Sequence, residues 1–563
     1  METCFEKPCC SARVEVPPEV IEAARMELGG DPADDIGSGD VEPQPSIAAS
    51  MSPFGGLDSP SESSQRWTGL GSPTLSSPAV VSRTLTKEGR LVSGGYSTVD
   101  AEIIWGIPLR RSLKGLGRIW RYQPSKWTTA QRAACHKLSQ KAQSFDVFLS
   151  HTWQTPGWHK AVALSFQCGW RSTFALWCVA EVVSTALCFM DVLPMPLPYK
   201  ANVIGFTEEC SMGLWVYGFG ALALVSGWFL TPYLPDLCSQ PDLGFVDVVS
   251  IDQEDRELME RGVYGIAGFL RISSELRILW SAPYLSRLWC VFELAAYRKV
   301  NPTGIMSFRP LFVERIFLLL LLSCLTFGLY VLGRSGDEYR FTIYIAFGSF
   351  YVLNGFATAL LRSNYREKHH LRRELRQFDL DQVSCMHEFD REFIHSAISK
   401  WYGSKEAFTK FVREDLRQDL EPCLAKRFPF RYLILLQAAL VSVSMEFFLA
   451  MWKGGAPFEG LLSFALAVLL GVDVFVGTCL AIILNYLTDR FAARRFGRFD
   501  HVQTFLIISF VGPIFYYSNN LAVAAYASSL EHSILFAVVS GVAAGCLCWL
   551  EMRTPMPDIS EPL

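Results

Sequence analysis

Three groups of residues in this chain carry side chains able to do chemistry. The first is Phe145-Asp-Val-Phe-Leu-Ser-His-Thr-Trp153, an apolar run that ends in hydroxyl, imidazole and indole groups. The second is a spaced set, Ser281, Tyr284, Ser286, Trp289, Cys290, Glu293 and Leu294, with one carboxyl among hydroxyls and aromatic rings. The third is Glu181, Glu446 and Asp473, acids inside apolar runs, where ionisable groups are functional candidates by default. Pro513 and Ser518-Asn519-Asn520 interrupt another such run and offer a place for a helix to unwind around a substrate, so a multi-pass transporter or channel with a regulatory cytosolic domain is one reading of these residues. No metal site is expected. His369-His370 and His387-Glu388 lack a ligand spacing such as H-E-x-x-H, and the 16 cysteines include no C-x-x-C pair. The same scatter of cysteines gives no disulfide framework.

These groups need elements to hold them. Phe145–Ser150 reads as a strand buried on both faces, because the apolar run is continuous rather than alternating. Lys160–Cys168 follows with helical apolar spacing. Gly244–Asp252 reads as a second strand, Glu257–Arg271 as a helix, Glu275–Ser281 as a third strand and Leu285–Arg298 as a helix. Strands alternating with helices predict a doubly wound parallel sheet.

In this order and spacing the residues resemble the TIR domain. Phe145–Ser150 is similar to the family's opening box, (F/Y)-D-V-F-(I/L)-S. Ser281, Tyr284, Ser286, Trp289, Cys290, Glu293 and Leu294 match the later box S-x-x-Y-x-x-S-x-W-C-x-x-E-L of plant members at every spacing. Arg261-Gly262 resembles the Arg-Gly of the loop after the family's second strand. The resemblance covers residues 144–170 and 242–300 and implies a flavodoxin-like α/β fold. It also implies cleavage of the nicotinamide–ribose bond of NAD, as substrate rather than resident cofactor, with Glu293 as the catalytic carboxylate. Topology would then put His151, Thr152, Trp153, Asp252 and Ser281 around the nucleotide. Many TIR domains only self-associate, so an assembly or signalling adaptor is the alternative the same residues imply. The chain departs from the pattern in a longer spacing before Arg-Gly, a shorter following helix and a membrane insertion that splits the domain.

Composition places this domain beside lipid. Of the 563 residues 50% are hydrophobic and 19% charged, below the charge of ordinary soluble chains. A net charge of −4 argues against a nucleic-acid partner. No secretory signal peptide is expected from the acidic start. Residues 1–90 hold 14 Asp/Glu against 7 Lys/Arg and are dense in Ser and Pro, which predicts a disordered tail. Ser52, Ser59, Ser72 and Ser77, each before Pro, are candidate phosphorylation sites, and Cys4, Cys9 and Cys10 candidate acylation sites. Residues 91–143 invert to 9 Lys/Arg against 2 Asp/Glu, interleaved with Trp105, Trp120 and Trp127, and read as a juxtamembrane segment on an anionic leaflet.

Apolar stretches predict about eight spans in four hairpins: an inserted hairpin at 172–230, a second at 316–361, and two more within 432–550. A helical cytosolic insert is expected at 363–429. Basic residues cluster on one side of every hairpin, at Arg362, Arg366, Lys368, Arg372 and Arg373, at Lys426, Arg427 and Arg431, and at Arg490, Arg494, Arg495 and Arg498. Counting them puts both termini and the TIR-like domain in the cytosol, with the bilayer as an expected partner, and the resemblance implies a second copy of the TIR-like domain as another. Because Ile316 must already be entering the membrane, residues 301–314 are expected to run along the headgroups rather than form a fourth strand. The crevice of the sheet would then face straight away from the bilayer.

Overall fold

The computed structural model describes residues 86–122, 124–234, 242–333, 340–425 and 429–553. Residues 1–85, which hold the Ser-Pro sites and the first three cysteines, lie outside them. The tail ends earlier than expected, since Lys87–Ser93 is a helix capped by the Thr86 side chain.

One six-stranded sheet organises the polar end of the molecule, in the order β2-β1-β6-β3-β7-β8. Its strands are β1 (Trp105–Pro108), β2 (Gln140–Lys141), β3 (Phe145–His151), β6 (Leu243–Phe245), β7 (Ser273–Trp280) and β8 (Ile305–Pro310). β6, β3, β7 and β8 run parallel, while β1 lies antiparallel to β6 and β2 antiparallel to β1. A separate hairpin pairs β4 (Leu197–Lys200) with β5 (Glu209–Met212). The sheet is therefore mixed rather than wholly parallel.

Two expectations are corrected here. β8 pairs with β7 in parallel from Ile305 to Pro310, so residues 301–314 do supply a fourth parallel strand. Its polar residues are met by the neighbour: the Ser307 hydroxyl donates to Glu275, which also binds Arg277 at 2.8 Å. Only three residues later Val313 starts a membrane-type helix, so the carboxyl edge does not stand clear of the bundle at this corner. With β8 leading into the helix that starts at Val313, the crevice does not point straight away from the apolar bundle, contrary to expectation. The basic segment 91–143 is also more than a surface stretch, since Ile107, Leu109, Ile119 and Trp120 are buried in the core beneath β3.

The helices used below are α1 (Gly157–Phe189), α2 (Trp215–Leu230), α3 (Asp247–Ser250), α4 (Leu288–Val300), α5 (Val313–Gly333), α6 (Arg340–Arg376), α7 (Glu388–Tyr402), α8 (Phe430–Lys453), α9 (Phe458–Arg490), α10 (His501–Ser528) and α11 (Leu530–Arg553). α1 fuses the expected first helix and first span into one rod. Its first turns bury Lys160, Ala161, Ala163, Leu164 and Phe166, whereas Val179, Val182 and Val183 farther along face outward, the pattern of a helix that leaves a protein core for lipid. Gly157 permits its start, because a Cβ there would lie 1.6 Å from the Trp120 carbonyl oxygen.

Among the described residues, seven helices are long and apolar enough to cross a membrane: α1, α2, α5, α8, α9, α10 and α11, some extended by a flanking turn. Their ends sort into two layers. One holds the β4–β5 hairpin, where the Ile204 N–H donates to the Tyr526 carbonyl and the Lys453 ammonium donates to the Cys188 carbonyl at 2.9 Å. The other holds the sheet, the segment 377–425 and the Arg362 cluster. There the buried Arg362 guanidinium binds Asp500, Gln503, Thr504 and the Phe491 carbonyl.

Candidate functional site

The site grows from three chain segments that end at one place. β3 delivers Ser150 and His151 at its carboxyl end and leaves through Thr152, Trp153 and Gln154. β6 is shorter than the expected strand because Val246 gives way to α3, where Asp247 Oδ1 accepts the Val248 N–H at 2.7 Å and Val246 N–H donates to Ser250 Oγ at 3.1 Å. That break sets Asp247 where the strand would have continued. α4 follows β7 and contributes Trp289, Cys290 and Glu293. The chain passes from β3 to β6 on one side and then to β7 on the other, so the carboxyl end of β3 is the switch point where open α/β sheets bind ligands. A crevice opens there, lined among others by Phe148, His151, Trp153, Asp247, Arg287 and Glu293. It encloses about 70 Å³, room for a few waters.

Two polar clusters flank it. In one, Ser150 Oγ donates to Glu293 Oε2 and shares a hydrogen bond with the Tyr284 hydroxyl. Glu293 is 6% exposed, and burial pushes its carboxyl up to about 8, against the Ser150 hydrogen bond and with the help of the Asp247 charge. Near neutral pH the protonated form of this carboxyl is therefore favoured. In the other cluster, His151 Nε2 stands 3.6 Å from Asp247 Oδ1 and Nδ1 stands 3.5 Å from Lys160 Nζ. Burial and the Lys160 charge lower the His151 pKa, so the imidazole is neutral. Burial opposes the Asp247 carboxylate, but His151, the Trp153 indole N–H at 2.7 Å and the Val248 amide hold its pKa below the usual range.

The expected site residues divide. Glu293, His151, Thr152 and Trp153 all line the crevice. Trp153 is already engaged: its ring stacks on Trp120 at 6.5 Å and sits 4.1 Å beneath the Lys160 ammonium. Ser281 lies beside the rim, hydrogen-bonded to Thr155, and Asp252 lies past α3, where its Oδ1 accepts the Glu254 N–H at 2.8 Å. Neither lines the crevice. Arg261-Gly262 sits within the helix Arg256–Tyr264 rather than in a loop, with Arg261 bound to Asp100 and Glu102. Pro513 and Ser518-Asn519-Asn520 stay inside the continuous helix α10, with no unwound turn.

Sequence reasoning missed Asp247, Lys160 and Trp120. Lys160 had a visible signal, as the one Lys or Arg in an apolar stretch from Gly157 to Trp170. Asp247 did not, because a single acid in Phe-Val-Asp-Val-Val looks like a strand residue until the strand is seen to stop.

The segment after α6 grips the helix that carries Glu293. Asp390 on α7 accepts from Trp289 Nε1 at 3.2 Å and from the Tyr264 hydroxyl at 2.7 Å. The Tyr402 hydroxyl donates to the Ala295 carbonyl at 3.0 Å, and Arg298 pairs with Asp419 at 2.9 Å. The Ser384 N–H donates to the Ser286 carbonyl and the Leu288 N–H donates to the Ser384 carbonyl, fixing the loop before α4. The position of Glu293 therefore depends on residues about a hundred positions downstream. Comparison with known proteins adds no relative: no family model matches this chain, and no curated protein or solved structure matches it either.

Proposed function

We propose that this chain is a multi-pass membrane protein whose split, TIR-like domain cleaves the nicotinamide–ribose bond of NAD⁺ on the cytosolic side. The observation that supports this most is the position of Glu293, beside Ser150 at the carboxyl end of β3 in the switch-point crevice. Departure of nicotinamide leaves an oxocarbenium-like ribose, and a fixed carboxylate stabilises the charge that develops there. Glu293 is the group for that role in its ionised form. Arg287, on the rim, suits the pyrophosphate of a dinucleotide. The present crevice holds only a few waters, so a nicotinamide ring and its ribose enter only if its walls part.

A second reading, a non-catalytic assembly module, is favoured by that same closure and by the protonated, hydroxyl-bonded state of Glu293. NAD⁺ consumption by purified full-length protein against a Glu293→Ala variant separates the two. Turnover that disappears in the variant supports the first reading, and no turnover by wild type at high density on vesicles supports the second.

The topology we propose has eight spans with both termini cytosolic. α5 leaves the sheet layer at Val313, yet the segment after α6 packs against α4 in that same layer, so α6 must bring the chain back. From Arg340 to Arg362 α6 rises about 33 Å, close to the hydrocarbon thickness. The basic residues Arg362 and Arg366, at the Asp500 cluster, and Arg431, beside Glu314, fall toward the sheet layer, which supports its cytosolic side.

A further inference from the structure

The interface of α1, α2, α5 and α8 carries a line of buried acceptors that no donor satisfies. At the sheet end, Glu314 Oε1 accepts from the Tyr432 hydroxyl at 2.8 Å and from Gln167 Nε2 at 3.2 Å, while Glu314 Oε2 and Gln167 Oε1 have no partner. Next comes Thr173, fully buried against Gly227 with an unpartnered hydroxyl. One turn farther, Trp177 Nε1 donates to Ser442 Oγ at 2.9 Å, and Ser442 donates to Glu181 Oε1 at 2.6 Å. Glu181 Oε2 is again without a partner. Toward the far layer, Glu446 Oε1 accepts the Tyr217 N–H at 3.0 Å and its Oε2 is unpartnered at full burial.

These groups follow one track. Along α8, Tyr432, Ser442 and Glu446 span fourteen residues, about 21 Å of rise, and along α1 Gln167 to Glu181 covers the same distance. Beyond Arg171, Arg315 and Arg431 at the sheet end, and short of Lys453 at the other, these four helices carry no Lys or Arg. Ion-pair glue is therefore absent over the middle of the track.

Helix glue would leave few orphans, since a buried oxygen without a donor is costly and is ordinarily matched. Four orphaned acceptor oxygens and one orphaned hydroxyl on one line point instead to groups that exchange protons and hold transient waters. A metal ion fits poorly, because each level offers one carboxyl, and no cluster of three His, Cys, Asp or Glu suited to a metal exists among the described residues. We propose that this four-helix interface is a proton path, with Glu314, Glu181 and Glu446 as successive carriers joined through Thr173 and Ser442. Asp473, hydrogen-bonded to Ser444 on another side of α8, stays off the track.

The test uses full-length protein in phosphatidylcholine–phosphatidylglycerol vesicles, with a potassium gradient, valinomycin and an internal pH dye. NAD⁺ is left out, so the outcome is independent of the crevice. Wild type should admit protons well above the rate of empty vesicles, and Glu181→Gln and Glu446→Gln should each lower the excess tenfold or more. Peptide mass mapping after dicyclohexylcarbodiimide treatment gives a second readout that needs no variant. Protonated carboxyls add to the reagent, so wild-type peptides bearing Glu181 or Glu446 should gain its mass with loss of flux. Wild-type flux no faster than empty vesicles, or flux unchanged in both Gln variants, overturns the proposal. Flux that survives complete modification of both glutamates overturns it equally.

Discussion

Replacing Glu293 by Gln should change how stability depends on pH, whatever the crevice does. Burial raises the folded carboxyl from 4.5 to about 8, so the folded chain keeps a proton that the unfolded chain releases between those values. The sign follows from that retention. The stabilisation linked to Glu293 is fully present below about pH 4.5 and is lost as pH rises toward the folded value. Within that window the slope approaches about 1.4 kcal/mol per pH unit, or about 2 kcal/mol between pH 5.5 and 7.5. Gln keeps the shape and accepts from Ser150, but it has no proton to lose, so its profile lacks this component. Thermal unfolding of both proteins in the same detergent, from pH 5.5 to 7.5, measures the difference. Wild type should lose several degrees relative to Glu293→Gln across that range. Parallel profiles, or a wild type that gains on the variant with rising pH, would refute the account of Glu293 as a buried, protonated carboxyl.

Other perturbations probe the frame around it. Asp390→Ala strands the buried Trp289 and Tyr264 donors and should cost about 2–3 kcal/mol, seen as a lowered melting temperature and faster proteolysis after α4. Gly157→Ala forces a methyl group into the Trp120 carbonyl, so it should reduce the yield of folded protein, measured by monodisperse recovery in detergent. Reporter fusions at Lys200 should report the far side of the membrane and those at Ser384 the cytosol; equal signals at both would break the hairpin topology.

How much of this was legible depended on where each element's partners lie. β3 and β7 could be read because each carries a run of buried apolar residues, Val147-Phe-Leu149 and Ile278-Leu-Trp280. β8 was hidden, since Ser307 and Arg309 look like headgroup residues until Glu275 and Arg277 on β7 are placed beside them. β1 was hidden for the same reason: it is four residues long, and Ile107 pairs with Gly244 far along the chain. The Glu293 and Ser150 pairing joins two boxes that sequence reasoning had already singled out. The Asp247–Trp153–Lys160 cluster was not readable, because it exists only where β6 stops and α1 turns back over β3. Burial, which decides the charge of Glu293, likewise comes from β3 at Ser150 and from Tyr284 in the loop before α4 rather than from its own neighbours in sequence.

The most direct measurement is nicotinamide release from NAD⁺ by full-length protein between pH 6 and 8.5, alongside Glu293→Gln. If ionised Glu293 carries the reaction and titrates at about 8, release should rise nearly tenfold from pH 6 to 7 and level off above 8, with the variant flat near background. Release that is flat with pH, or that persists in Glu293→Gln, would contradict the assignment of Glu293.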